Sequence, residues 1–442
     1  MFFAVQPPVA LPPVSAGLAA APGTLASDSS TGRPISLSDA IRTAQRSAPA
    51  AIQSRGLVRA GAVAIRGAYA QFLPSLQLTG GLTRQINVTQ RVNQQTGEIV
   101  SGAYQTTTGI TASLTLFDGL RRVYDVRAAR AQEAAAGAGT QATGASLGLQ
   151  VKQQYFAALA ARETEAAARD QLAQAEAQLA LAAAKLRAQT ATRSDSLQAA
   201  IAVAQAQLSA IQARNDRANA DATLTRVIGS DAPVSAAPDG LALDTALTVD
   251  SAQFARLAAR APVVRQAEAQ VQQARNQARS ARAAYFPIVS LTYGRNLTGA
   301  SSTLDPFGVN YVPSGQLRLA LTLPVFDQLN TATNVANSEV ALANSEAAVR
   351  DQQLAAQQTL VQAITALRTA GQQVATQSQA ITAAEENVRV QRQRYQLGVA
   401  TSLDILTAQT QLTQARLGLV QARFSARTAR AQLEALAGGD TP

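Results

Sequence analysis

Leu114-Thr-Leu-Phe-Asp118 is answered 209 residues later by Leu323-Pro-Val-Phe-Asp327. The same offset aligns Thr192, Asp195, Leu197 and Ala199 with Thr401, Asp404, Leu406 and Ala408, and it still holds at Leu224 with Leu433 and at Gly229 with Gly438. Upstream the offset is 213: Ala48-Pro49 returns as Ala261-Pro262, and Ala70-Gln-Phe-Leu-Pro74 as Ala283-Ala-Tyr-Phe-Pro287. One such match is cheap in an alanine-rich chain, but a series in constant register is an internal duplication. The four-residue contraction of the second copy falls between two strand-like segments, as expected of a surface loop. The chain therefore divides into a first repeat over 35–230 and a second over 251–438, joined by a linker over 231–250 that carries Pro233, Pro238 and Gly240. Residues 1–34, with Pro7, Pro8, Pro12 and Pro13 and no cation before Arg33, read as a Pro/Ala-rich tail or a remnant signal region. Residues 439–442 read as a tail.

Both repeats follow one order. A helix runs up to Pro74 or Pro287, because the residue before proline is pushed out of the α region. Alternation follows. In the first repeat Leu76, Leu78, Leu82, Ile86 and Val88 alternate with Ser75, Gln77, Thr79, Thr83, Gln85 and Asn87. Beyond a polar loop through Gly97 and Gly102, Ile110, Ala112, Leu114 and Leu116 alternate with Thr111, Ser113 and Thr115. The second repeat sets Val289, Leu291, Tyr293 and Leu297 against Ser290, Thr292 and Asn296, then Leu317, Leu319, Leu321 and Leu323 against Gln316, Arg318 and Thr322. Period two predicts β-hairpins at about 74–118 and 287–327, each with one apolar and one polar face.

Proline is absent from Leu120 to Ala191 and again from Leu329 to Leu436, where Ala, Gln, Arg and Glu dominate. At ~1.5 Å per residue each ascending helix would run about 100 Å, with a return arm of about half that. The tips of these helical hairpins fall near 188–196 and 396–405. The second return arm reads as a heptad seam at Ile405, Ala408, Leu412, Ala415, Leu419, Ala422, Ala426, Ala429, Leu433 and Leu436. In the first copy Ser196 and Arg217 interrupt that register. Thr192 with Asp195, and Thr401 with Asp404, have the spacing of caps that start the return helices. Phe117 and Phe326 are expected to pack at the strand-to-helix junctions, and Asp118 and Asp327 to cap the long helices.

Composition removes most chemistry. The 442 residues contain no Cys, His or Trp candidate: Cys, His and Trp all count zero. Thiol nucleophiles, Ser-His-Asp relays and zinc or haem sites each lose an essential member. No carboxylate pair with a partner base suggests an enzyme, and no cofactor or metal set is apparent. A net charge of +10, almost all arginine, invites a nucleic-acid reading. The arginines are dispersed and the chain is only 4% aromatic, so nucleic acid is not an expected partner. No run approaches the ~18 apolar residues of a membrane helix, so a membrane role has to use the strands.

Four amphipathic strands cannot close a lumen by themselves, and an open sheet leaves its edges unsatisfied in lipid. Three chains supply twelve strands, with Thr, Ser, Asn and Gln lining the bore and Leu, Ile and Val facing lipid. The fold class expected is mostly α with β: a duplicated protomer of long antiparallel helical hairpins and two β-hairpins, forming a 12-stranded barrel continued by an α-helical barrel. A coiled-coil scaffold outside any membrane is the alternative, which uses the helices and ignores the strands.

The duplicated order of helix, Pro, hairpin, Phe-Asp, long helix, Thr-x-x-Asp-x-Leu-x-Ala turn and returning helix resembles the TolC family of outer membrane efflux proteins. The resemblance spans roughly residues 35 to 438. It implies a homotrimer in outer-membrane lipid, extending into the periplasm, with a periplasmic adaptor and an inner-membrane pump as partners. It further implies roles at the helical turns. Asp404 matches a position whose carboxylates ring the closed aperture, where cations can gather. The second ring position is Thr407 here. Asp195 and Tyr395 match a pair that helps hold neighbouring hairpins closed, and the arginine that often completes this lock is replaced by Ala400, with Arg193 a candidate substitute. Leu397, Gly398, Val399, Ala400 and Thr401 resemble the tip that adaptors recognise. The first tip, with Thr190 and Thr192, has Gln189 where glycine is usual.

Overall fold

The computed structural model describes residues 32–84, 91–92, 99–100, 104–190, 192–238, 256, 259–301 and 311–436. The expected strand positions 85–88, the loop glycines Gly97 and Gly102, most of the N-terminal tail, linker residues 239–250 and the C-terminal tail lie outside it.

Two long helices dominate. Helix α3 (Arg121–Arg187) and helix α6 (Asn330–Gln396) have 67 residues each, about 100 Å at ~1.5 Å per residue. Each returns through a shorter helix, α4 (Arg193–Ile228, 36 residues) and α7 (Ser402–Leu436, 35 residues). Before the long helices lie α1 (Leu37–Ser47) and α2 (Pro49–Ala70) in the first repeat and α5 (Pro262–Arg282) in the second, with Pro at the first helical position of α2 and α5. Both end a few residues short of Pro74 and Pro287: Ala70 and Arg282 are their last α-helical residues, and a 3₁₀ turn over Ala283–Tyr285 completes the second.

The seam expected in α7 is present. Ile405, Ala408, Leu412, Ala422, Ala426, Ala429 and Leu433 are buried, and Ala415, Leu419 and Leu436 half-buried. In α4 the buried positions Ala199, Ala206 and Ala213 recur every seven residues. The heptad then meets Arg217, which turns inward to Glu165 of α3, Nη1 to Oε2 at 2.8 Å. Glu165 is 3% exposed and is also paired with Arg169.

Strands β2 (Ser75–Arg84), β5 (Tyr104–Phe117), β7 (Ile288–Ser301) and β8 (Val312–Thr322) form one antiparallel sheet in the order β2-β5-β7-β8. Short strands β3 (Arg91–Val92) and β4 (Ile99–Val100) pair between β2 and β5 in sequence. The β5–β7 ladder joins the two repeats, and β2 and β8 are the outer strands. Residues opposite one another in a ladder share a face, so the register sorts the side chains. Leu76, Ala112, Tyr293 and Leu317 form one cross-strand row, and Leu114, Leu291 and Leu319 another on the same face. Ser75, Ser113, Thr292 and Arg318 form a row on the opposite face. The apolar face is uncovered: Leu76, Leu78, Leu317, Leu319 and Leu321 are each about two-thirds to three-quarters exposed.

Two details depart from expectation. Strand β1 (Arg33–Ile35) begins inside the stretch read as tail and pairs in parallel with β6 (Val234–Ala236), inside the stretch read as linker. The fully buried Tyr155 hydroxyl reaches the Ala237 carbonyl at 3.0 Å and the Ile35 carbonyl at 3.2 Å, tying both strands to α3. Three-residue strands are too short for period two to announce. Second, Phe326 is 80% exposed and does not pack within the chain, whereas Phe117 is partly covered at 40% exposed. Strand β8 ends at Thr322, so Phe326 leaves the sheet before the helix begins. Phe286 and Phe72 also line the first junction: the Arg122 guanidinium lies 4.8 Å from the Phe72 ring centroid, and a Cβ on Gly119 would meet the Phe286 Cβ at 2.5 Å. Two left-handed residues, Gly119 and Leu120 or Gln328 and Leu329, turn each strand into its helix. Asp118 and Asp327 do cap, accepting from the Arg122 and Thr331 amides at 3.2 and 2.7 Å.

Candidate functional site

The two helical tips are built alike. In the first, Gln189 adopts φ 60°, its amide donates to the Leu186 carbonyl at 3.0 Å, and the Thr190 amide donates to Lys185 at 2.9 Å. In the second, Gly398 adopts φ 78°, its amide donates to Tyr395 at 3.2 Å, and Val399 donates to Arg394 at 2.9 Å. Both are helix-ending motifs with a left-handed residue, for which glycine carries no Cβ penalty. Glutamine at 189 thus takes the glycine conformation, at a cost of about 1 kcal/mol.

Each return helix then starts on a reciprocal cap. Asp195 donates its amide to the Thr192 hydroxyl at 3.2 Å, and its Oδ2 accepts from the Thr192 amide and hydroxyl at 3.1 and 2.7 Å. At the second tip Asp404 and Thr401 repeat this, with Oδ2 accepting from the Thr401 amide and hydroxyl, both at 2.8 Å. The Thr401 amide and hydroxyl, then the Arg394 charge, hold the exposed Asp404 carboxyl below its ordinary pKa. Thr407 is exposed, and its hydroxyl donates to the Leu403 carbonyl of its own helix.

The tips meet along one seam. The Ser402 hydroxyl donates to Asp195 Oδ1 at 2.8 Å and approaches Gln198 Oε1 at 3.3 Å. Lys185 Nζ donates to the Tyr395 carbonyl at 2.9 Å and lies 3.7 Å from the centroid of its ring. The Thr192 hydroxyl first, then Ser402 and the Thr192 amide, lower the Asp195 pKa, with a smaller contribution from Lys185. Tyr395 is 6% exposed; burial first, and then the Asp195 charge, raise its pKa. Its hydroxyl has no hydrogen-bond partner among the described residues. Asp195 and Tyr395 thus face one seam without bonding to each other, and the cation beside Tyr395 is Lys185, whereas Arg193 is exposed at the start of α4.

Sequence reading missed Lys185 and Ser402. The signal available for Lys185 was its rarity, since the chain has only one other lysine, Lys152. Beyond the turns, Leu397 is 79% and Val399 62% exposed, while Ala188 and Thr190 occupy the matching positions of the first tip. Among the described residues no group of three or more acidic side chains is arranged to hold a metal within the chain.

The chain matches the outer membrane efflux protein family over residues 40–230 and 254–439. It is 25% identical over 223 residues to the toluene efflux pump outer membrane protein TtgC of Pseudomonas putida, covering 49% of this chain and 45% of that protein. Protein CyaE of Bordetella pertussis is 29% identical over 301 residues, 66% of this chain and 60% of CyaE. The matches therefore span about half the length of these curated relatives. Among solved structures, a membrane protein from Pseudomonas aeruginosa superposes with a TM-score of 0.78 at 21% identity, covering 93% of this chain and 92% of that one. VceC of Vibrio cholerae gives 0.74 at 18% identity, with 91% and 96% covered. With a family match across both repeats, and the same fold in these membrane proteins, the chain belongs to the outer membrane efflux protein family.

Proposed function

We propose that the chain is a passive outer-membrane exit duct of a tripartite efflux or type I secretion system. Three copies close a twelve-stranded barrel in the outer membrane and continue it as a helical barrel across the periplasm. The observation that carries this reading is the β2-β5-β7-β8 sheet: its leucines share one exposed face, which also carries Arg84 and Arg295, most of its Ser, Thr and Gln side chains lie on the other, and its outer strands are each paired on one side only. Such a sheet satisfies its edges in lipid only by closing with further copies. A coiled-coil scaffold has no use for that face. Relatives named for toluene, solvent and antibiotic efflux support export as the role.

The tips are the periplasmic aperture. One Asp404 per chain supplies its acidic ring, Thr407 leaves the next layer neutral, and Asp195, Tyr395 and Arg193 belong to the contacts that hold it closed. The exposed apolar side chains of Leu397 and Val399, with Gly398, Ala400 and Thr401, support an adaptor contact at the second tip. Gln189, Thr190 and Thr192 offer the same backbone shape at the first. An inner-membrane pump supplies the energy. The test is purification from outer membranes followed by light scattering in detergent and planar-bilayer recording. A conducting trimer is expected; a monomer soluble in plain buffer without channel current refutes the reading.

A further inference from the structure

The leucine face of the sheet carries two arginines, and both stand at nearly one height. Residues paired across a ladder share a face. Arg84 alternates in step with Leu76, Leu78 and Leu82 on β2, and Arg295 of β7 lies opposite Ile110, which lies opposite Leu78. Among the described residues of β2, β5, β7 and β8, no other charged side chain is on that face. Both arginines are exposed, and neither makes an ion pair among the described residues. The Arg84 guanidinium lies 5.6 Å from the Tyr104 ring centroid.

The duplication sets their level. Pro74 and Pro287 are equivalent points at which the chain leaves helix for strand, and Arg84 follows the first by ten residues, Arg295 the second by eight. At ~3.4 Å per residue and a strand tilt of ~40°, these climbs come to about 26 and 21 Å. At the offset of 213, Arg84 corresponds to Leu297 and Arg295 to Leu82, so the shared level is not a by-product of the repeat. Below it the face carries leucines without a charge, and it begins at the exposed Leu73, Phe286 and Phe326 beside the helices. A lipid-facing band is about 25 Å tall, and an arginine is costly at its middle and nearly free at its edge. Both arginines therefore emerge at the edge remote from the helices, where their long stems carry the charge out of the hydrocarbon.

We propose that Arg84 and Arg295 bind the phosphate groups of the phosphorylated glycolipid of the outer leaflet, two arginines from each chain girdling the barrel at that level. This rests on the trimeric duct reading above, in which the helices point into the periplasm and the far edge of the sheet faces the cell exterior. A guanidinium presents a planar fork of N–H donors that matches a phosphate bidentately. The Tyr104 ring steadies the Arg84 group by a cation–π contact. The surface is an open outward face, which a lipid headgroup lying against the barrel covers. The phosphate contacts would fix the depth of the barrel in the bilayer and give its outer rim a lipid preference that the leucine band, which reads only hydrocarbon, cannot supply.

The test titrates lipid onto the full chain in detergent. Wild type and Arg84→Gln/Arg295→Gln are purified, their masses measured by light scattering, and native mass spectrometry follows the binding of diphosphoryl lipid A, its dephosphorylated form and phosphatidylglycerol. The wild-type trimer should hold diphosphoryl lipid A at least about fivefold more tightly than the dephosphorylated form, and the double variant should lose about that factor. Arg59→Gln, an exposed change on α2, should bind as wild type does. A wild-type trimer that binds the phosphorylated and dephosphorylated lipids alike overturns the proposal without recourse to any variant. A trimeric double variant with undiminished affinity for diphosphoryl lipid A overturns it too, and leaves the duct reading standing. Phosphatidylglycerol bound more tightly than diphosphoryl lipid A overturns the assignment to the glycolipid. A wild-type particle that is monomeric overturns the duct reading itself.

Discussion

Lys185→Met is the sharpest perturbation of the internal seam. The ammonium makes one hydrogen bond, 2.9 Å to the Tyr395 carbonyl, and stands 3.7 Å from the Tyr395 ring centroid. That carbonyl also accepts from the Gly398 amide at 3.2 Å, so the substitution does not orphan it. The loss is therefore taken at the low end for a charged hydrogen bond, about 1.5 kcal/mol, with about 0.5 kcal/mol more for the half-exposed cation–π contact. A seam weakened by about 2 kcal/mol opens roughly 30-fold more often. Hydrogen exchange on the detergent-solubilised protein reads this at the Thr190 and Val399 amides, both bonded inside the turns. Exchange there should accelerate by about that factor, while amides in the middle of α3 keep their protection. Lys185→Arg should recover much of the protection. Unchanged exchange at both tips in the methionine variant would show that Lys185 is a bystander and that the Asp195–Ser402 contact alone closes the seam.

Three further outcomes follow from the same geometry. Because Asp195 is held below its ordinary pKa of 3.8, its contribution is complete above that value and disappears as pH falls through the lower folded value; tip exchange, corrected for intrinsic rates, should be flat from neutrality to about pH 5 and rise in stronger acid, and Asp195→Asn should remove the acid step. Arg217→Ala takes one of two cations from Glu165, which is 3% exposed, and should cost about 3 kcal/mol in thermal unfolding followed by circular dichroism, whereas Glu165→Gln/Arg217→Met should cost less. Arg318 is the one charged side chain on the polar face of the four described main strands, so Arg318→Gln should shift the reversal potential of bilayer recordings across a salt gradient toward greater cation preference.

The sequence alone determined what depends on near neighbours along the chain. The offset pairs Thr192/Thr401 and Asp195/Asp404 placed both turns, because a cap is a contact between residues three apart. Period two from Leu76 and from Leu317 placed the strands and their apolar face, since alternation is a property of the extended backbone. The α7 heptad was legible for the same reason. Only the tertiary structure decided how these elements meet. The β1–β6 pairing joins residues about 200 apart that carry no local pattern. The pairing of Lys185 with Tyr395 and of Asp195 with Ser402 depends on how two 67-residue helices are rotated and staggered against each other. Small alanine side chains along both seams permit more than one such setting, so spacing within either repeat leaves it open. Arg217 shows the same limit: the sequence marked it as a break in the heptad, and its buried partner Glu165, 52 residues away on the facing helix, explains why the helix continues through it.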